Sequence, residues 1–196
     1  MCKKYKVKHL MYASSSSVYG SQTHQSENTI DLHPISYYAC TKLSDEVLAN
    51  TFSKDMKITG LRFFTVYGPD SRPDMAIQKF IKLLKEQKPV TINACSRDFT
   101  YITDIIKGIK LLSNRKGEGH EIFNIGTGIS VPVITLFNMI SLRLMELGYK
   151  LNSPIKFSKP PQEDIECTCA DTTKLYKELN WKPSVMIGSG IKLTIK

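Results

Sequence analysis

The sequence predicts an α/β fold, a parallel sheet with a smaller α/β lobe packed on it. Three observations carry this. Two apolar runs, VKHLMYA (7–13) and KITGLRFF (57–64), lack the alternation of a half-exposed strand and read as strands buried on both faces. Between them SYYACTKLSDEVLANTFSK (36–54) reads as a helix, with Ser36 as its N-cap. After residue 65 the elements shorten and strands keep alternating with helices.

Taken in order, residues 20–35 are polar and close on His33-Pro34, which predicts a loop. TVYGPDSRP (65–73) is a second loop, and Pro73 stands near the start of a helix over about 73–87. VTIN (90–93) and DFTYI (98–102) predict short strands, 103–113 a helix, and EIFNIG (121–126) a strand. A long helix covers about 132–147, IKFS (155–158) a strand, and DTTKLYKELN (171–180) a short helix. No internal repeat is present.

Composition narrows the function. The chain has 196 residues with 41% hydrophobic and 23% charged, a globular balance. No apolar run approaches the roughly 18 residues of a membrane helix. The apolar run after the basic start MCKKYKVKHLMYA is shorter than the core of a signal peptide. The expectation is a cytoplasmic protein with no membrane partner. The net charge of +9 admits a solvated basic surface or an anionic partner. Basic runs interleaved with aromatics are missing, so nucleic acid is not expected and a phosphate-bearing small molecule fits at least as well. The five cysteines, Cys2, Cys40, Cys95, Cys167 and Cys169, are scattered and odd in number, so they are expected reduced and structural, with no metal site.

The chemistry concentrates in two places. ASSSSVYG (13–20) puts four hydroxyls at the carboxyl end of a predicted parallel strand, where open sheets bind ligands. The following helix carries Tyr38 and Lys42, four apart and so on one helix face. An ammonium beside a phenol favours the phenolate. Tyr37 is out of register for this role, because Thr41 lies four after it.

The order of ASSSSVYG, HPISYYACTK, GLRFFTVYGPDSRPDM and RDFTYI resembles the extended short-chain dehydrogenase/reductase family, and within it the UDP-glucuronate 4-epimerases. The resemblance runs from about residue 4 to about residue 185. It implies the C-terminal part of a Rossmann-like parallel sheet plus a small substrate-binding lobe. Residues 1–65 would be the remnant of the NAD-binding domain, and 66–196 mainly the nucleotide-sugar lobe, interleaved with the last sheet strands. It implies NAD as cofactor, a UDP-sugar as substrate, a homodimer in full-length form, and epimerisation at C4 through a 4-keto sugar. Ser15 would bond the sugar 4-oxygen, Tyr38 would take its proton, and Lys42 would tune Tyr38 and bind the nicotinamide ribose. Ser16 and Ser17 would contact substrate. Related dehydratases and decarboxylases carry acids at these positions, and hydroxyls here favour epimerisation alone. Thr65 and Arg72 would meet the sugar carboxylate and Arg97 the pyrophosphate, while Asp98 and Asp104 read as structural. The alternatives are a UDP-glucose or UDP-N-acetylhexosamine 4-epimerase, or a non-catalytic remnant that binds a nucleotide sugar.

Departures from the family pattern are also legible. The G-x-x-G-x-x-G turn that holds the dinucleotide pyrophosphate does not open this sequence, so the chain is expected to lack roughly 100 residues of the family's βαβ units. It is then expected to leave strand 7–13 without one neighbour, exposing an apolar edge, and to have an incomplete NAD site and little activity alone. Ser71 stands where the family has glycine, Asp70 is an unusual acid beside Arg72, and Glu163 replaces a glycine before Asp164. The closing IGSGIKLTIK reads as part of a C-terminal helix.

Overall fold

A computed structural model describes residues 1–161 and 164–196. Glu163 therefore lies outside the described residues. In chain order the elements are β1 (His9–Ser15), a 3-10 helix (Ser16–Tyr19), α1 (Tyr37–Asn50), β2 (Lys57–Phe63), β3 (Thr65–Tyr67), α2 (Ala76–Lys85), β4 (Val90–Asn93), β5 (Ser96–Tyr101), α3 (Ile102–Asn114), β6 (His120–Ile125), β7 (Ser130–Pro132), α4 (Val133–Glu146), β8 (Ile155–Ser158), α5 (Thr173–Leu179) and α6 (Ile187–Thr194). The fold is α/β with parallel strands, as the sequence predicts.

The main sheet has the order β1-β2-β6, all parallel, with Ser14 opposite Arg62 and Arg62 opposite Asn124. A second sheet, β3-β5-β7, pairs β3 with β5 in parallel and β5 with β7 antiparallel, and β4 pairs with β8 in parallel. The chain thus leaves the main sheet after β2, builds much of the second lobe, and returns to it at β6.

One expectation is corrected. The run 7–13 is not buried on both faces: β1 starts at His9, residues 9–12 are half-buried, and burial is complete only at Ser14 and Ser15. Among the described residues β1 pairs with β2 alone and is an edge strand, whereas β2, held on both sides, is buried from Ile58 to Arg62. An apolar run reads alike at either position, because lateral pairing leaves no mark on side-chain type. Smaller differences have local causes. The helix from Ser36 stops at Asn50 and gives way to tight turns to Asp55. TVY of the expected loop forms β3, and β7 is a short strand that a three-residue pattern cannot announce.

The lobe core gathers Phe80, Leu84, Leu136, Phe137 and Ile140 from α2 and α4, with Ile191 of α6 closing it. A second cluster packs Ile105 and Leu112 of α3, Leu175 of α5 and Trp181 against Leu61, Phe123 and Ile125 of the sheet. Asp98 and Asp104, both fully buried, tie loops to these cores. Asp98 accepts from the backbone N–H groups of Thr127, Gly128 and Ala170, which fixes the turn after β6. Asp104 accepts from the N–H groups of Ser184 and Val185 at 2.8 Å each and from the Ser184 hydroxyl at 2.7 Å. Burial alone would raise the Asp104 carboxyl; the bonds from Ser184 and Val185 outweigh it and hold the group below its ordinary value.

A carboxylate whose folded value is depressed contributes stability above its unfolded value and loses that contribution as pH falls. The urea midpoint of the wild type should therefore drop between about pH 5 and about pH 3. Asp104→Asn should be less stable at neutral pH and should lose less over the same range. Parallel wild-type and variant curves would show that Asp104 contributes nothing to the acid limb.

Candidate active site

The carboxyl ends of β1 and β2 open into a cleft of about 1140 Å³, walled by residues 13–17 on one side and 63–72 on the other. The 3-10 helix turns the chain sharply after β1. Ser15 caps it, its Oγ accepting from the Ser17 N–H at 3.1 Å and donating to the Ser17 Oγ at 3.0 Å. Gly20 ends the turn at φ 61, with its backbone against His33, where a Cβ would collide with the carbonyl. The serine run is therefore a bonded cap and not a flexible linker.

Ser36 caps α1, its Oγ accepting from the Ala39 N–H at 3.2 Å, and the first turn of the helix delivers Tyr38 to the cleft. Tyr38 is 55% exposed, so its phenol reaches open space. Lys42 follows one turn on, with Nζ 5.9 Å from the centre of the Tyr38 ring. Nζ donates to the Ala13 carbonyl at 3.0 Å and to Asp45 Oδ2 at 3.3 Å. An ammonium has three donors, so among the described residues one N–H of Lys42 is left without a partner.

The structure brings most of the sequence-derived candidates together: Ser15, Ser16, Ser17, Tyr38, Lys42, Thr65 and Arg72 all line this cleft. Arg97 is set apart from that lining. It donates to Asp164 Oδ1 at 2.5 Å and to the Ser96 carbonyl at 2.8 Å, and Asp164 is the partner that faces the cleft. Arg72 is already engaged as well, its guanidinium gripping the Asp74 carboxylate with both Nε and Nη2. That pair is largely in solvent, 75% and 62% exposed. Asp70, in the same wall, sits at φ 57, a left-handed conformation that a residue with a Cβ adopts at a cost of about 1 kcal/mol. Among the described residues, no group of three or more His, Cys, Asp or Glu side chains is placed to hold a metal.

Sequence reading missed the buried group behind the cleft. Glu46 of α1, 4% exposed, accepts from the Ser14 hydroxyl at 2.5 Å, from Arg62 Nε at 2.9 Å and from Arg62 Nη2 at 2.7 Å. Its spacing, four after Lys42 and eight after Tyr38, was the available signal. Arg62 also lies over the Tyr19 ring at 4.7 Å, and the Tyr19 hydroxyl donates to Asn124 Oδ1 at 2.7 Å. Burial pushes the Tyr19 phenol up to about 12, so it serves as a donor throughout the neutral range.

Comparison with known proteins is consistent with this geometry. The chain is 37% identical to a UDP-glucuronate 4-epimerase of Thermodesulfobacterium geofontis over 202 residues, covering 100% of this chain and 60% of that protein. Among solved structures it superposes on MoeE5, in complex with UDP-glucuronic acid and NAD, with a TM-score of 0.89 at 32% identity, covering 99% of this chain and 66% of that one. It superposes on the UDP-glucuronic acid 4-epimerase of Bacillus cereus, in complex with UDP-glucuronic acid and NAD, with a TM-score of 0.86 at 34% identity, covering 98% and 62%. The chain thus spans roughly three-fifths of the length of such relatives. The model of the NAD dependent epimerase/dehydratase family matches residues 1–126. That stretch includes the serine cap, Tyr38, Lys42 and both walls of the cleft, and by it this chain belongs to the NAD dependent epimerase/dehydratase family.

Proposed function

We propose that this chain carries the sugar-binding and proton-transfer machinery of an NAD-dependent nucleotide-sugar 4-epimerase, and that its substrate is UDP-glucuronate. The observation that carries the proposal is that Ser15, at the end of β1, and Tyr38 and Lys42, on the helix that follows, line one cleft at the carboxyl ends of parallel strands.

The groups present fit the nicotinamide-ribose end of NAD: a phenol, an ammonium with a free donor and a polar strand end are the partners that ribose hydroxyls need. When bound, NAD supplies reversible acceptance of hydride from the sugar C4. The chain's own residues supply the rest. Ser15 Oγ is held in place by the Ser17 N–H, while its proton, now shared with Ser17, is free to turn towards the sugar O4. Tyr38 Oη is the base that takes the O4 proton and returns it. Lys42, hooked to the Ala13 carbonyl, keeps positive charge beside that phenol. Ser16 and Ser17 add hydroxyls to the sugar pocket and bring no carboxylic acid for further chemistry on a keto sugar.

Specificity for a uronic acid rests on Arg72 with Thr65. An ion pair as exposed as Arg72–Asp74 gains little in water. Exchanging Asp74 for a substrate carboxylate enclosed in the cleft is therefore favourable, and a guanidinium grips it with two bonds. Arg97, with its side chain only 14% exposed, would have to give up Asp164 to meet a pyrophosphate oxygen. Residues 1–65 then serve as the cofactor side and 66–196 mainly as the sugar side. Homodimerisation through α1 fits its outer face, which exposes Tyr37, Val47 and Leu48.

The test is incubation of the chain with NAD and UDP-glucuronate or UDP-glucose, with products separated by chromatography and binding measured by calorimetry. With an incomplete NAD site the chain alone should form UDP-galacturonate only slowly, and Tyr38→Phe should slow it further by about 10²- to 10³-fold while UDP-sugar affinity changes little. A UDP-sugar bound without any turnover would favour a binding protein over an epimerase.

Arg72→Ala should weaken UDP-glucuronate by about 10- to 100-fold, the loss of a charge-assisted pair of bonds, and leave UDP-glucose unchanged. Equal loss for both sugars would remove Arg72 as the selector and favour a neutral hexose as substrate.

A further inference from the structure

We propose that Glu46 is a positioning residue for the reaction: clamped by Ser14 and Arg62, it sets the rotation of α1 on the sheet and with it the place of Tyr38 in the cleft. The inference rests on the reading of Tyr38 as the base.

The first support is what α1 lacks. Its buried positions are Ala39, Glu46 and Ala49, with Leu43 packed at the edge of a small cluster, while Val47 is exposed and Leu48 only borders an open apolar cavity beside β1. Two alanine faces make a shallow contact that would tolerate a helix rolled about its axis, because little apolar area changes when it turns. The polar contacts therefore decide the rotation. Tyr38, Lys42 and Glu46 form one stripe at successive turns. Lys42 fastens the middle of the stripe to the Ala13 carbonyl, and Glu46 fastens its inner end.

The second support is what Glu46 grips. Ser14 and Arg62 face each other across β1 and β2, and both donate to the same carboxylate. Arg62 in turn faces Asn124 on β6, which accepts from Tyr19 beneath the guanidinium. One carboxylate on the helix is thus bonded to two strands at a single level of the main sheet, whose third strand is reached through Tyr19. The next level along β1 is Ser15. A shift of α1 that separated Tyr38 from Ser15 would have to break these bonds in a buried site, where an unpaired Arg62 is costly.

The experiment separates positioning from mere stability. Thermal midpoints, turnover of UDP-glucuronate, and the titration of Tyr38 by NMR of [¹³Cζ]tyrosine would be followed, with the Tyr38 signal assigned by Tyr38→Phe. Glu46→Gln should lower the midpoint, reduce kcat by about 10- to 100-fold at nearly constant KM, and move the Tyr38 titration. The double variant Glu46→Leu/Arg62→Met replaces the pair by apolar groups and should recover the thermal midpoint. It should recover neither kcat nor the wild-type Tyr38 titration. Recovery of all three would overturn the proposal and leave the pair a purely stabilising one. If the wild type shows no turnover, the functional reading fails but the NMR arm still decides this one: a Tyr38 titration unmoved in both variants overturns it.

Discussion

The structure depends on one buried charge pair. Glu46 and Arg62 are each almost inaccessible to water, and their bonds join the helix that carries Tyr38 to the strands whose ends form the cleft. Two charges taken out of water lose several kcal/mol each of hydration, and only close bonding on every side offsets this. The site meets much of that demand: the carboxylate takes three donors, and the guanidinium adds the face of Tyr19. Arg62 Nη1 is left without a partner among the described residues. On a helix with so thin an apolar face, this pair and the Lys42 bond to the Ala13 carbonyl are the polar contacts that set the orientation.

Much of the architecture was legible because it is local. Ser36 before a run of helix formers announced α1, and apolar β-branched runs announced β2 and β4. The strand-end serines and the Tyr38–Lys42 spacing pointed to one region, and the cleft gathers them. What escaped was three-dimensional. Nothing in HLMYA states how far its two faces are covered. Nothing in the one-dimensional order states that Glu46 meets Ser14, 32 positions earlier, because that contact exists only once the strand register is set. Asp74 is two residues from Arg72, yet whether the two side chains meet is settled by the loop wall that holds them.

The net charge of +9 takes a more specific meaning in the structure. Both arginines near the cleft are already bonded to acids, Arg72 to Asp74 and Arg97 to Asp164. The cleft is therefore not an open field of positive charge awaiting any anion. The two arginines have resident partners, whereas Lys42 keeps one N–H without a partner among the described residues.

The two kinds of ion pair do opposite work because their surroundings differ. Arg72–Asp74 lies in solvent, where each partner regains its hydration when the pair opens, so exchange is easy and the pair can act as a placeholder. Arg62–Glu46 lies in the interior, where neither partner has water to return to, so separation is opposed by the full desolvation of both. The same chemistry of guanidinium and carboxylate is thus labile in the cleft wall and rigid beneath α1. Burial, rather than residue type, assigns the two roles.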